Sequence, residues 1–202
     1  MQRSDRGKLL AGFERFSRES RYRRFFTATP KLTDGMLERL FDVDGHDRVA
    51  LGAELLRLGF LPGAGVGIAR FTRDQADPTV AEMAIAIVDD LQGCGLGTVL
   101  LRELAAAARE QGIERFTAWV QPDNEPMKAL VYKLDPNAAC HVEDGLLLFE
   151  IELPGPAAAR GRPRARTRDV DRSVAAGSVA WLADRLRQLL PGRIAGAFVR
   201  AR

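Results

Sequence analysis

Apolar and polar positions alternate from Val80 to Val88, with Ala81, Met83, Ile85 and Ile87 on one side and Glu82, Ala84, Ala86 and Val88 on the other. A period of two is that of a β-strand, and the bulkier side suits burial under helices. The second side offers one carboxylate and then small side chains, which leaves room for a thin ligand along the strand. From Thr98 to Glu110 the period becomes helical: Val99, Leu100, Leu104, Ala107 and Ala108 form a stripe, and Gly112 ends it as a C′ residue. Arg48 to Leu56, Gly65 to Phe71 and Phe116 to Val120 read as further strands, and Ala139 to Val142 joins Leu146 to Leu153 in a hairpin through Asp144-Gly145. Glu125 to Leu134 is a short helix, and the polar connection Thr72 to Thr79, with Asp77-Pro78, is a hairpin loop. Near the N-terminus, Thr33 or Asp34 caps a helix bearing Leu37, Leu40 and Phe41. Gly12 to Phe26 reads as one helix, in which Tyr22, Phe25 and Phe26 share a face that packs on the sheet. The order β-β-β-α-β-α-β-β emerges, an α/β (α+β) fold with a mixed sheet and helices on both sides.

Composition sharpens the division of the 202-residue chain. With 46% hydrophobic and 28% charged residues it is globular, and no apolar run approaches the roughly 20 residues needed to span a bilayer. The polar start lacks an apolar signal segment, which predicts a cytoplasmic location. Beyond Gly155 there are eleven arginines, no lysine and three aspartates, a net +8 that leaves −5 on the preceding residues. An acidic domain over residues 1–154 is thus expected to carry a basic extension over 155–202: an Arg-rich linker, then a stripe of Ala175, Val179, Leu182, Leu186 and Leu189 at helical spacing. That stripe leaves three coverings open: the body, a second subunit in a homodimer, or an acidic surface. The arginines come without a recognised nucleic-acid-binding fold, so nucleic acid is not the expected partner. Cys94, Cys140, His46 and His141 lack metal-ligand spacing, and no metal is expected.

Between the strand at Val80 and the helix at Thr98 lies Gln92-Gly93-Cys94-Gly95-Leu96-Gly97. Glycines let the backbone curl and bring its N–H groups close to an anion, and the following helix adds roughly half a positive charge at its start. A diphosphate fits the main-chain amides from Gly93 through Leu96 to Thr98. A Rossmann fingerprint needs its third glycine one position later and an acid on the next strand, and Phe116 to Val120 carries none. A P-loop needs Gly-Lys-Ser/Thr, whereas Gly97 is followed by Thr98 and Val99. Cys94 reads as a small filler within the turn.

Gln92, Gly95 and Gly97 match the pattern Gln/Arg-x-x-Gly-x-Gly/Ala, and the segment resembles the acyl-CoA motif of the GNAT superfamily of N-acetyltransferases. Ala81 to Asp90 resembles that family's fourth strand and Gln121-Pro122-Asp123-Asn124 the end of its fifth. Ser20-Arg21-Tyr22-Arg23-Arg24-Phe25-Phe26 is similar to a segment of bacterial protein-lysine acyltransferases. The resemblance implies a mostly antiparallel sheet flanked by helices, acetyl-CoA or another acyl-CoA as co-substrate, and transfer to an amine of a small molecule or a protein lysine. It implies Glu82 as general base, with Glu54 as the weaker alternative, amides near Ile87 and Val88 on the thioester carbonyl, exposed by a bulge and a splay, and Asn124 against the pantetheine arm. Such enzymes commonly place a tyrosine seven residues after the motif asparagine, but here that position is Val131. Tyr132 lies about 100° further round the helix, and Asp135 stands where a glycine is usual. The alternative is a module that senses acyl-CoA without transferring the group.

Overall fold

A computed structural model describes residues 3–27, 31–56, 64–153 and 196–200. The predicted linker and the stripe from Ala175 to Leu189 lie outside these residues. Seven strands form one sheet among the described residues: β1 (Arg48–Leu56), β2 (Ala64–Arg73), β3 (Val80–Ile87), β4 (Arg115–Val120), β5 (Ala139–Glu143), β6 (Leu146–Glu152) and β7 (Gly196–Arg200). Their spatial order is β5-β6-β4-β3-β2-β1-β7. Every neighbouring pair is antiparallel except β3 with β4. The strand β7, which no alternation in its sequence announces, pairs with β1 from Gly52↔Arg200 to Leu56↔Gly196.

One face of the sheet carries α4 (Leu96–Glu110) and α5 (Glu125–Leu134). Leu100, Leu104 and Ala108 of α4 are buried against Ala69, Phe71, Ala81, Met83 and Phe116. Such burial contributes about 1.5–3 kcal/mol for each large side chain. The helix stops as its sequence predicts, with Gly112 at φ +79° and the Ile113 amide donating to the Ala108 carbonyl. The hairpin between β5 and β6 turns at Asp144 and Gly145, both with positive φ (49° and 77°), the conformation that an Asp-Gly two-residue turn requires.

The other face is covered by α1 (Arg6–Glu14), α2 (Arg18–Phe25) and α3 (Asp34–Phe41). The single helix expected over Gly12 to Phe26 is two. The Ser17 side chain accepts from the Ser20 amide and starts α2 afresh, and Phe26 ends it in a left-handed conformation at φ 54°. Breaking the helix alters the aromatic face: Phe13, Phe16 and Phe25 pack together edge-on, whereas Tyr22 and Phe26 remain exposed. The backbone of α1 lies directly on β2, because Gly12 and Gly65 face each other. A Cβ on Gly12 would stand 2.9 Å from the Gly65 carbonyl oxygen, and one on Gly65 2.7 Å from that of Lys8.

Candidate functional site

Where β3 and β4 run side by side, their ladder holds only from Val80↔Arg115 to Glu82↔Thr117, after which the strands part. The Val88 amide donates to the Val66 carbonyl at 3.0 Å, so in the regular antiparallel ladder with β2 the alternate residues Ala86 and Ala84 also face β2. The amides of Ile85 and Ile87 therefore point the other way, into the gap left by β4. Val88, expected to offer its amide to a ligand, is spent on β2, and Ile85 takes its place beside Ile87. No bulge is needed: the register between β2 and β3 is continuous from Arg73↔Ala81 to Gly67↔Ile87.

The gap opens into a cleft of about 1150 Å³, bounded by the β3 edge, the glycine turn and α5. Gln92, Gly93, Gly95, Gly97 and Thr98 line it on one side and Asn124, Met127 and Leu130 on the other. Gly93 and Gly95 take φ values of +72° and +95°, which turn the chain so that successive amides face the same space. Among the described residues, no group accepts from any amide between Gly93 and Thr98, and the first bond of α4 is Val99 N–H to the Gly95 carbonyl. Gly93, Gly95, Gly97 and Thr98 line the cleft at the N-terminus of a fifteen-residue helix, an arrangement whose free amides can take an anion. Cys94 and Leu96 are buried and line no part of the cleft; the Cys94 thiol donates to the Leu91 carbonyl at 2.8 Å. Gly97 lets α4 approach α5, since a Cβ there would touch Leu130 at 3.4 Å. Asn124 is the N-cap of α5, its side chain accepting from the Met127 amide at 3.2 Å.

The turn is fastened from below by contacts that sequence reading did not find. The Gln92 side-chain amide donates to the Ile87 carbonyl and to Asp89. Asp89 in turn accepts from the Ser17 amide at 2.6 Å and from the Ser20 hydroxyl, which ties α2 to the turn. Burial raises the Asp89 carboxyl, but the Ser20 hydroxyl, the Ser17 amide and the Arg21 charge outweigh it and hold the group below the ordinary carboxylate range. Only the cap potential of Ser17 was readable in advance; a pairing across some seventy positions leaves no local signal.

Glu82 sits where the ladder between β3 and β4 ends, exposed and outside the lining of the cleft. Its carboxylate accepts no hydrogen bond and forms no contact ion pair among the described residues, while Arg24 and Arg70 lie near enough to feel its charge. Glu54 is placed differently: the Lys8 ammonium donates to both its oxygens, at 2.7 and 2.9 Å. This pair lines a smaller cavity of about 110 Å³ between α1 and the opposite sheet face, which meets the cleft at Phe16, Arg24 and Ala86. The cleft-facing part of β3 is Ile85, Ala86 and Ile87. Of the small-residue side expected to take the ligand, Ala86 lines the cleft, and α2 packs against the same strand. Val131 is fully buried, and Tyr132 turns from the cleft to stand edge-on against Phe149, ring centroids 5.7 Å apart.

A helix N-terminus with free amides beside two parted strands, in a mixed sheet of this order, defines a class of protein: residues 22–135 match the model of the acetyltransferase (GNAT) family, and the chain belongs to it. Over 148 residues it is 36% identical to acetyltransferase Pat of Mycolicibacterium smegmatis, an alignment covering 73% of this chain and 42% of that relative. It is 29% identical over 130 residues to an acetyltransferase of Pseudomonas aeruginosa, covering 64% and 68% of the two chains. The crystal structure of the GNAT domain of S. lividans PAT superimposes with a TM-score of 0.66 at 32% identity, covering 76% of this chain and 88% of that one. A cAMP-binding acyltransferase from Mycobacterium smegmatis aligns with a TM-score of 0.50 at 29% identity, covering 85% and 47%. The chain thus spans about two fifths of the length of the Pat relative. Among the described residues no helix is long and apolar enough to cross a membrane, and no group of three or more His, Cys, Asp or Glu is placed to hold a metal ion.

Proposed function

We propose that the chain binds acetyl-CoA, or another acyl-CoA, along the free edge of β3 and transfers the acyl group to a primary amine. The acceptor is a small molecule or a protein lysine. The observation that carries this reading is the run of amides from Gly93 to Thr98 with no acceptor of their own, opening on a cleft large enough for a cofactor. In this reading the diphosphate rests on those amides, and the pantetheine arm passes Asn124 and continues the sheet beside Ile85 and Ile87. Those two N–H groups then meet the thioester carbonyl as its oxygen gains charge.

The amine nitrogen attacks the thioester carbon, a C–N bond forms and the C–S bond breaks, and coenzyme A leaves as its thiolate. The ammonium proton must go elsewhere, because an unperturbed lysine amine has a pKa of about 10.4. Glu82 is the base we assign: its carboxylate is unpaired, whereas Glu54 is held by Lys8. Three residues of strand separate Glu82 from Ile85, about 10 Å, so the proton travels through water. The thiolate, with a thiol pKa near 8.5, takes its proton from solvent. A cytoplasmic location and a separable domain over residues 1–154 belong to the same reading. The buried Val131, where a phenolic acid would stand, favours the alternative of an acyl-CoA sensing module.

Calorimetry with acetyl-CoA, followed by coenzyme A release over a panel of amines, separates the two. Glu82→Gln is expected to lower kcat about 100-fold or more while leaving acetyl-CoA affinity intact. Equal turnover in that variant removes Glu82 from the mechanism, and binding without release on any amine establishes the sensor.

A further inference from the structure

Arg24 stands where the two cavities meet, lining both. Its guanidinium, half-buried, donates no hydrogen bond and forms no ion pair among the described residues. It stands over the Phe25 ring, 5.1 Å from the centroid. A guanidinium carries five N–H donors, and leaving them unsatisfied in a partly desolvated place is costly unless a ligand completes them.

The sheet beneath supplies a second cation. Arg70 pairs with Ala84 across β2 and β3, which places it on the same face as Glu82 and Ala86, and one of its nitrogens donates to the Arg39 carbonyl at 3.0 Å. Arg24 feels the charge of Arg70: its pKa falls to about 10, first through burial, then through Arg70, with Glu82 opposing. Burial is also the main cause of the lowering at Arg70, where Asp42 and Glu82 oppose and Arg48 adds to it. Two carboxylates, Asp42 and Glu82, thus act on Arg70, but Asp42 is already paired with Arg48 at 3.0 Å, which leaves Arg24 and Arg70 against Glu82 around the position assigned to the acceptor. A plain ammonium acceptor is repelled there, whereas an acceptor bringing its own anion is held.

We propose that Arg24, with Arg70 beside it, binds a carboxylate carried by the acceptor next to its reacting amine. This rests on the transferase reading above and narrows its substrate class to acidic amines: a free amino acid, or a lysine beside an acidic residue. Planar, forked Arg–carboxylate pairing suits the task, and the positive surroundings also favour the neutral, nucleophilic form of the amine.

The test compares matched acceptors with acetyl-CoA at saturation. L-lysine against L-lysine amide forms one arm, and a blocked Asp-Lys peptide against the Asn-Lys peptide forms the other. A preference of about tenfold or more in kcat/KM for the acidic member of at least one pair is expected, the arm showing it identifying the source of the carboxylate. In Arg24→Gln that ratio should fall to near one, and Arg24→Lys should restore part of it. Because each variant is compared with itself, a general loss of activity does not imitate the effect. Arg70→Gln provides the same reading should Arg24 variants fold poorly. Equal rates within both pairs in the wild-type protein overturn the inference and leave the transferase standing. A preference for succinyl-CoA over acetyl-CoA without any acceptor preference moves the anion to the donor and overturns it too. No coenzyme A release with any acceptor overturns both readings together.

Discussion

Glu54 and Glu82 stand on neighbouring parts of one sheet and differ in what holds them: Lys8 grips both oxygens of the first, and no donor reaches the second. Sequence reading placed Glu82 first and Glu54 second, by the neighbouring small residues and by family resemblance, without access to the ion pair that separates them physically. The amides were harder. Which N–H of Ile85, Ile87 and Val88 is free depends on ladder phase, and that phase is fixed by Val66, a partner 22 positions away. The glycines, by contrast, were legible because their function is conformational and local. Gly95 occupies φ +95°, a region that costs a residue with a Cβ about 1–2 kcal/mol. Gly95→Ala should lower stability by that order and weaken acetyl-CoA binding further, since the relaxed turn no longer aims its amides together. Thermal melts and calorimetry on the same variant measure the two effects separately.

At the scale of elements, the strands and helices from Val80 to Glu152 follow the hydrophobic period, and their boundaries lie within a residue or two of those read from the chain. The first 26 residues do not. Two short helices replace one because Ser17 caps a new start and Asp89, far along the chain, receives the exposed amide and hydroxyl of the α2 first turn. This latch joins the helix that carries Arg24 to the turn that bears the free amides. The depressed Asp89 pKa has a definite sign: its contribution is fully present above the unfolded carboxyl value of about 3.9 and is lost as pH falls through the lower folded value. Asp89→Asn should consequently be less stable than wild type at neutral pH and converge with it below about pH 4, as urea midpoints across that range would register. A gap that persists unchanged into strong acid would mean the carboxylate charge is not what holds α2.

Across the whole molecule, the acidic body and basic extension were apparent from composition, but β7 was not. Gly196 to Arg200 shows no alternation strong enough to announce a strand, and its place is fixed by the open edge of β1. Three strands, β1, β2 and β3, separate β7 from the gap beside β4. A chain ending at Leu153 should therefore retain acetyl-CoA affinity while melting at a lower temperature than the full chain. Lost affinity would show that the extension reaches the cleft.

Where β3 parts from β4, the amides of Ile85 and Ile87 have no partner among the described residues. In the proposed function the missing rung is lent from outside: the cofactor acts as a guest strand, and the sheet is complete only while loaded. Ligand at 100 times its dissociation constant stabilises a single-site protein by about 2.7 kcal/mol. Protection of the Ile85 and Ile87 amides from hydrogen exchange should rise with that loading, recording the guest at the seam itself.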